Sequence, residues 1–164
     1  MEGTSSLGSE LRVVLRQGKN LIATWENLVL AHWEESPTAE PMRAIHEAHL
    51  ALLHRYPKVG HLVVVRGGAV MPSAEGREVA ARYSGKSRMS SIAIVLEAEG
   101  FWAGAARGFL TTVLFLRSRS GAPTQLFRDV DSALEWQNAK LGDAAPNRVA
   151  TAAALRELRR QARG

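Results

Sequence analysis

The order of segments along the chain predicts an α/β fold, with a mixed sheet of four to five strands opened by a β-hairpin and covered by about four helices. Two observations support this prediction. The adjacent strand-like runs IATWE (22–26) and LVLAHWEE (28–35) come first, and short apolar runs then alternate with stretches of helical patterning. At 164 residues the chain is long enough for one domain with a substantial core.

The beginning of the chain predicts strands. Residues 1–10 are rich in glycine and serine, and we expect them to be disordered. The run LRVVLRQ (11–17) predicts a short first strand before a turn at 18–20. From residue 21 to 34, aromatic and β-branched residues favour strands, and Glu26-Asn27 is the only break. We therefore expect a tight hairpin at this dipeptide.

Residues 36–57 predict the first helix. Ser36 or Thr38 can serve as its N-cap, and Pro41 suits the first turn. One face of this helix is formed, at helical spacing, by Ile45, His49, Leu52, Leu53 and Tyr56. The apolar run LVVVR (62–66) follows, and it is typical of a strand that is buried on both faces.

The rest of the chain continues the alternation of helix and strand. Its segments are a helix entered at Pro72-Ser73, a strand SIAIVLE (91–97), an apolar helix (101–118), a strand TQLF (124–127) and a helix capped by Asp129 or Asp131. Residues 143–164 are interpreted as a separate, basic helical tail. The α/β domain is therefore expected to span residues 11–142.

Composition and charge restrict the function classes. The chain has no cysteine, which excludes disulfides and thiolate metal sites and favours a reducing, cytoplasmic location. No secretory signal or transmembrane segment is expected. Five arginines and one glutamate lie in residues 145–164, whereas residues 1–144 carry 16 basic and 15 acidic groups. The positive charge therefore belongs to the tail, which we interpret as a solvated helix, and nucleic acid is not expected as a partner.

Two sequence patterns could suggest a metal or phosphate site. In HEAHLALLH, His46 and His49 are three residues apart, whereas the metalloprotease pattern needs a spacing of four, and no third ligand is identifiable. The run SGKS (84–87) has Ala80 where a phosphate loop needs glycine, and a helix precedes it in place of a strand. We therefore predict neither a metal nor a cofactor.

Four carboxylates lie near the predicted strand ends, where an acid or base of a catalytic site can stand. Glu34, Glu35, Glu97 and Glu99 could act in this way, but no histidine can be placed beside them from the sequence, so we interpret them as solvated strand-end charges.

Glycines recur every four residues in the apolar segment, at Gly100, Gly104 and Gly108. Such a stripe lets another backbone approach closely. Packing of this helix on the sheet within one chain and self-association into a homodimer both remain open.

The order of strands and helices over residues 11–141 resembles that of the STAS domain, the fold of sulfate-transporter tails and anti-sigma-factor antagonists. The local match is LVVVRGGAVMPSAEGREVAARY (62–83), in which a buried strand leads through a loop to a hydroxyl residue that opens a helix. Ser73 falls at the position that a partner kinase phosphorylates in antagonist proteins. Pro72 stands where that family prefers aspartate, and Gly76 is displaced from the expected glycine.

The resemblance implies a non-enzymatic regulatory or protein-interaction module of bacterial-type signalling. A protein partner would dock near the start of the second helix, with candidate residues at Met71, Ser73, Glu75 and Arg77. Ser73 alternatively serves only as a helix cap. Two other functions stay open: a small apolar-ligand or lipid-binding protein, suggested by the tryptophans of the first hairpin, and an enzyme that uses His46, His49 or Glu97.

Overall fold

The computed structural model describes residues 10–66, 72–84, 88–97 and 121–164. Over these residues the chain forms a six-stranded mixed sheet with helices on both faces, so the predicted α/β class is confirmed. Both edge strands are paired in the sheet, which is why the strand count exceeds the predicted four to five.

The sheet follows the order of the chain from one edge to the other. Its strands are β1 (Arg12–Gln17), β2 (Asn20–Trp25), β3 (Leu28–Trp33), β4 (Gly60–Arg66), β5 (Ser91–Glu97) and β6 (Thr124–Phe127). The first three strands form an antiparallel meander, and β3 to β6 run parallel to one another. The carboxyl ends of the parallel strands therefore lie together at one end of the sheet, here called the carboxyl end.

The hairpin between β2 and β3 turns at Glu26-Asn27, as predicted. Glu26 has a φ of 48°, which residues other than glycine rarely adopt. The buried amide of Asn27 donates to the carbonyl oxygens of Lys58 at 3.0 Å and Ala144 at 2.8 Å. The turn is thus held by contacts with distant segments, which compensate for the absence of glycine.

Four helices are described: α1 (Ala39–Leu53), α2 (Ala74–Ser84), α3 (Val130–Leu141) and α4 (Arg148–Arg163), with a short 3-10 turn at Gly142–Ala144 before α4. Asp129 caps α3 by accepting a hydrogen bond from the Ser132 amide at 2.7 Å. Asn147 caps α4 in the same way, accepting from the Ala150 amide at 3.0 Å.

Each face of the sheet has its own apolar core. One core lies under α1 and includes Ile45, Ala48, Leu52, Val63, Val65 and Ile94. The other lies under α3 and α4 and includes Leu30, Leu62, Val64, Leu134, Leu155 and Leu158. Successive side chains of a strand point to opposite faces, so the even-numbered positions of β3 and β4 face α3 and α4.

The C-terminal helix predicted at the end of the chain is present as α4, and it packs on the sheet. Ala154, Leu155, Leu158 and Ala162 are buried in the same core as the strands. Arg16 of β1 also donates from Nη2 to the carbonyl oxygen of Gln161 at 2.9 Å. Residues 148–163 are therefore covered on one side, whereas the sequence alone suggested a tail apart from the α/β domain.

Candidate functional site

Two groups of polar residues meet at the carboxyl end of the sheet, one on each face. The start of α2 lies beside the start of α1, because the Ser73 amide donates to the carbonyl oxygen of Pro37 at 2.9 Å. On the opposite face, charged side chains gather where β3, β4 and β5 end. Ligands of open α/β sheets commonly bind beyond the carboxyl ends of their strands, so both groups are candidate sites.

Ser73 is the N-terminal cap of α2. Its half-buried hydroxyl accepts a hydrogen bond from the Gly76 amide at 3.1 Å, and its carbonyl oxygen accepts from the Arg77 amide at 2.9 Å. The alternative that Ser73 is a helix cap is therefore borne out as a description of its geometry. The hydroxyl oxygen therefore lies at the amide end of the first turn, where negative charge is stabilised.

Arg77 lies next to Ser73. Its Nη1 atom donates to the carbonyl oxygen of Pro72 at 2.9 Å, so the guanidinium is fixed near the cap while the residue stays exposed. Glu75 is exposed in the first turn of α2. The structure thus brings together three of the four residues predicted for partner docking, and Met71 lies outside the described residues.

The position of α2 depends on close packing against α1. A Cβ atom on Gly76 would lie 2.6 Å from the carbonyl oxygen of Pro37 and 3.1 Å from that of Thr38. At the other end of α2, Tyr83 stacks on the ring of His46, with centroids 4.0 Å apart and an interplanar angle of 11°. These two contacts hold both ends of α2 against α1 and leave the exposed side chains on its outer face, at Glu75, Arg77, Glu78 and Arg82.

The second group, here called the strand-end cluster, consists of His32, Glu34, Arg66, Glu97 and Arg159. The parallel register pairs Trp33 with Val65 and Arg66 with Glu97, so Glu34, Arg66 and Glu97 form a row across three neighbouring strands. Arg66 lies 3.6 Å from Glu34 and 3.8 Å from Glu97, and Arg159 of α4 pairs with Glu97.

His32 is the buried member of the cluster. Its ring is fully buried, and Nε2 lies 3.2 Å from Oε1 of Glu34. Burial lowers the pKa of His32, the Glu34 carboxylate opposes this shift, and the charges of Arg159 and Arg66 add to it. The hydrogen bond with His32 lowers the pKa of Glu34 in turn. A neutral imidazole therefore donates from Nε2 to an ionised carboxylate, and Nδ1 has no hydrogen-bond partner among the described residues.

The interpretation of Glu34 and Glu97 as isolated, solvated charges is corrected by this geometry. Both carboxylates are in ion pairs, and Glu34 has a histidine partner that the sequence analysis missed. A usable signal was present, because His32 and Glu34 are two residues apart and such positions share one face of a strand. The contributions of Arg66 and Arg159 depend on strand order and on the docking of α4, which the sequence did not reveal.

The residues proposed for an enzyme do not converge. His46 lies between α1 and α2, and His49 is buried under α1, whereas Glu97 belongs to the strand-end cluster on the other face of the sheet. In the described ranges, no group of three histidine, cysteine, aspartate or glutamate residues could hold a metal ion. The geometry therefore offers no support for a site that would combine these three side chains.

The remaining sequence predictions concern apolar surfaces. Trp33 is buried in the α1 core, and Trp25 packs against the core under α3 and α4, so both tryptophans contribute to packing. The glycine stripe of Gly100, Gly104 and Gly108 lies outside the described residues, and self-association stays a prediction. Among the helices that the structure describes, none is long and apolar enough to cross a membrane.

Comparison of the chain with protein-family models, with curated proteins and with solved structures finds no match.

Proposed function

We propose that this chain is a STAS-like, non-enzymatic regulatory module of the cytoplasm that docks a protein partner at the start of α2. The observation that carries the proposal is the arrangement at the cap, where the Ser73 hydroxyl accepts from the Gly76 amide and the Arg77 guanidinium is held beside it on the Pro72 carbonyl. The exposed face of α2 next to this cap offers side chains of both charges to a partner.

Ser73 acts in this proposal as the residue that controls docking. A phosphate on its oxygen would meet the amide end of α2, which is the positive end of the helix dipole, and the guanidinium one turn away. The modification would add a charge of about −2 to the docking surface. It would therefore change the affinity for a partner while α2 stays folded.

The proposal is tested by affinity capture from cells of the source organism, with partners quantified by mass spectrometry. Ser73→Asn keeps a capping side chain but cannot be phosphorylated, whereas Ser73→Asp adds a negative charge at the cap. We expect Ser73→Asn to retain the partner, and Ser73→Asp and Arg77→Glu to reduce its capture. Arg82→Glu is the matched control, because Arg82 is exposed on the same helix but near its other end.

A photo-crosslinking residue makes the position of the partner testable. Placed at Glu75, it should crosslink the partner, and placed at the exposed Glu135 of α3 it should not. An identical set of captured proteins in all four variants, or equal crosslinking from the two positions, would contradict docking at the start of α2.

A further inference from the structure

The buried imidazole of His32 lies on the face of the sheet that α4 covers. His32 follows Leu28 and Leu30 at alternate positions of β3, and these leucines are buried with Leu155 and Leu158 of α4. His32 is fully excluded from solvent in this arrangement. Water can therefore reach the ring only when the cover over this part of the sheet opens.

The charged groups around His32 come from four structural elements. Glu34 follows β3, Arg66 ends β4, Glu97 ends β5 and Arg159 belongs to α4. On the remaining side, β2 places the apolar Leu21 opposite His32 in the ladder. Among the residues that the structure describes, Glu34 favours a positive charge on the ring, and the two arginines oppose it.

We propose that protonation of His32 weakens the docking of α4 on the sheet. Mild acid then loosens α4 while the sheet stays folded. The reason is reciprocal coupling between two equilibria. Docked α4 disfavours a proton on His32 by excluding water and by bringing Arg159 near it. A proton on His32 must then disfavour docked α4 to the same extent.

The ion pairs of the strand-end cluster couple the charge on the His32 ring to the docking of α4. A protonated His32 attracts the Glu34 carboxylate more strongly, so Arg66 loses part of its attraction to Glu34. Arg66 then competes for Glu97, which is the carboxylate that pairs with Arg159 of α4. Besides this pair, the hydrogen bond from Arg16 to the Gln161 carbonyl also holds the last turns of α4 to the sheet.

The test is hydrogen–deuterium exchange of the full chain between pH 7.5 and 5.5, with rates corrected for the intrinsic effect of pH on exchange. We expect the protection of amides in residues 154–163 to fall with decreasing pH, by at most about tenfold per pH unit because one proton is linked. Protection in β4 reports unfolding of the whole domain and should remain higher than that of residues 154–163 at every pH in this range. Equal protection of α4 and β4 throughout would overturn the proposal, because it indicates that α4 opens only when the whole domain unfolds.

Two further imidazoles provide an internal comparison. His49 and His61 are buried on the α1 side, so an acid response that starts from them should appear in α1. Loss of protection in α1 with α4 unchanged would overturn the proposal.

Variants distinguish a His32 whose protonation is coupled to the docking of α4 from a His32 that has only a structural role. His32→Gln should abolish the pH dependence of α4 protection, and a full response in this variant would overturn the proposal. If His32→Gln does not fold, NMR titration of the His32 ring in Arg159→Gln decides the question. The pKa of His32 should be higher in Arg159→Gln than in the control Arg156→Gln, whose side chain is exposed on α4, and equal values would overturn the coupling.

Discussion

Gly76 determines how closely α2 approaches α1. A methyl group at this position would meet two backbone carbonyl oxygens, those of Pro37 and Thr38, and neither can move aside as a flexible side chain would. We therefore expect Gly76→Ala to destabilise the protein by about 1–2 kcal/mol, since strain of ~2–3 kcal/mol, the upper part of the usual range for overpacking, exceeds the ~1 kcal/mol that alanine gains in a helix. Urea unfolding measures the change.

Glu75→Ala is the control for Gly76→Ala, because Glu75 is exposed in the same turn and its removal should change stability by less than about 0.5 kcal/mol. A Gly76→Ala variant as stable as the wild type would show that α2 is not held against α1 as described.

Ser73 contributes stability as well as a candidate docking position. Its hydroxyl satisfies the Gly76 amide, so Ser73→Ala should cost about 1 kcal/mol in the free energy of unfolding. Ser73→Asn supplies another capping oxygen and should lose much less. Urea titration of the two variants side by side checks the cap, and equal losses would show that the hydroxyl has no capping role.

At the scale of single residues, the sequence predicted the helix cap but not the pair of His32 with Glu34. The cap at Ser73 was predicted because a proline–serine pair before a helical pattern is a local signal. The pair of His32 with Glu34 was not, although both residues are on one strand. Its partners Arg66 and Arg159 are separated from it by long stretches of chain, and only the parallel register and the docking of α4 bring them together.

At the scale of elements, the position of α4 is the clearest departure from the sequence-based interpretation. Its helical pattern and basic charge were visible, but five arginines in one segment suggested a solvated tail. The structure distributes these charges unequally. Arg159 is directed to Glu97 at the sheet, and Arg160 pairs with Glu157 on the helix surface, while the leucines face the core.

Leu158 tests whether α4 is part of the core. It is fully buried with the strands, so Leu158→Ala should cost about 2–5 kcal/mol in the free energy of unfolding. Val149 on the same helix is 76% exposed, and Val149→Ala should change stability by less than about 0.5 kcal/mol. Chemical denaturation compares the two variants. Similar, small effects would mean that α4 does not pack on the sheet in solution.

At the scale of the whole molecule, the fold class was predictable because each strand has a local apolar pattern and each helix a local period. Strand order has no comparable local signal. The sequential order from β1 to β6 brings residues from distant segments to one end of the sheet, and this produces both the start of α2 beside α1 and the strand-end cluster.

The whole molecule also carries three buried imidazoles, at His32, His49 and His61. Burial lowers the pKa of His49 to about 4 and that of His61 to about 3, and the charge of a neighbouring histidine adds to each shift. In the unfolded chain these rings return to a pKa near 6.5. The unfolded state therefore binds protons below about pH 6.5 that the folded state does not bind, so acid favours unfolding.

Stability should be constant above about pH 7 and should fall as the pH drops from about 6.5 toward 5, by up to about 1.4 kcal/mol per pH unit for each buried imidazole. Urea unfolding at pH 7.5, 6.5 and 5.5 measures this slope. His61→Leu removes one titrating group from the α1 side of the sheet and should make the slope shallower, whereas His54→Gln, at an exposed position after α1, should leave it unchanged. A wild-type slope near zero would mean that these rings take up protons in the folded protein as readily as in the unfolded chain, so the α1 core would then have to be more open than the structure describes.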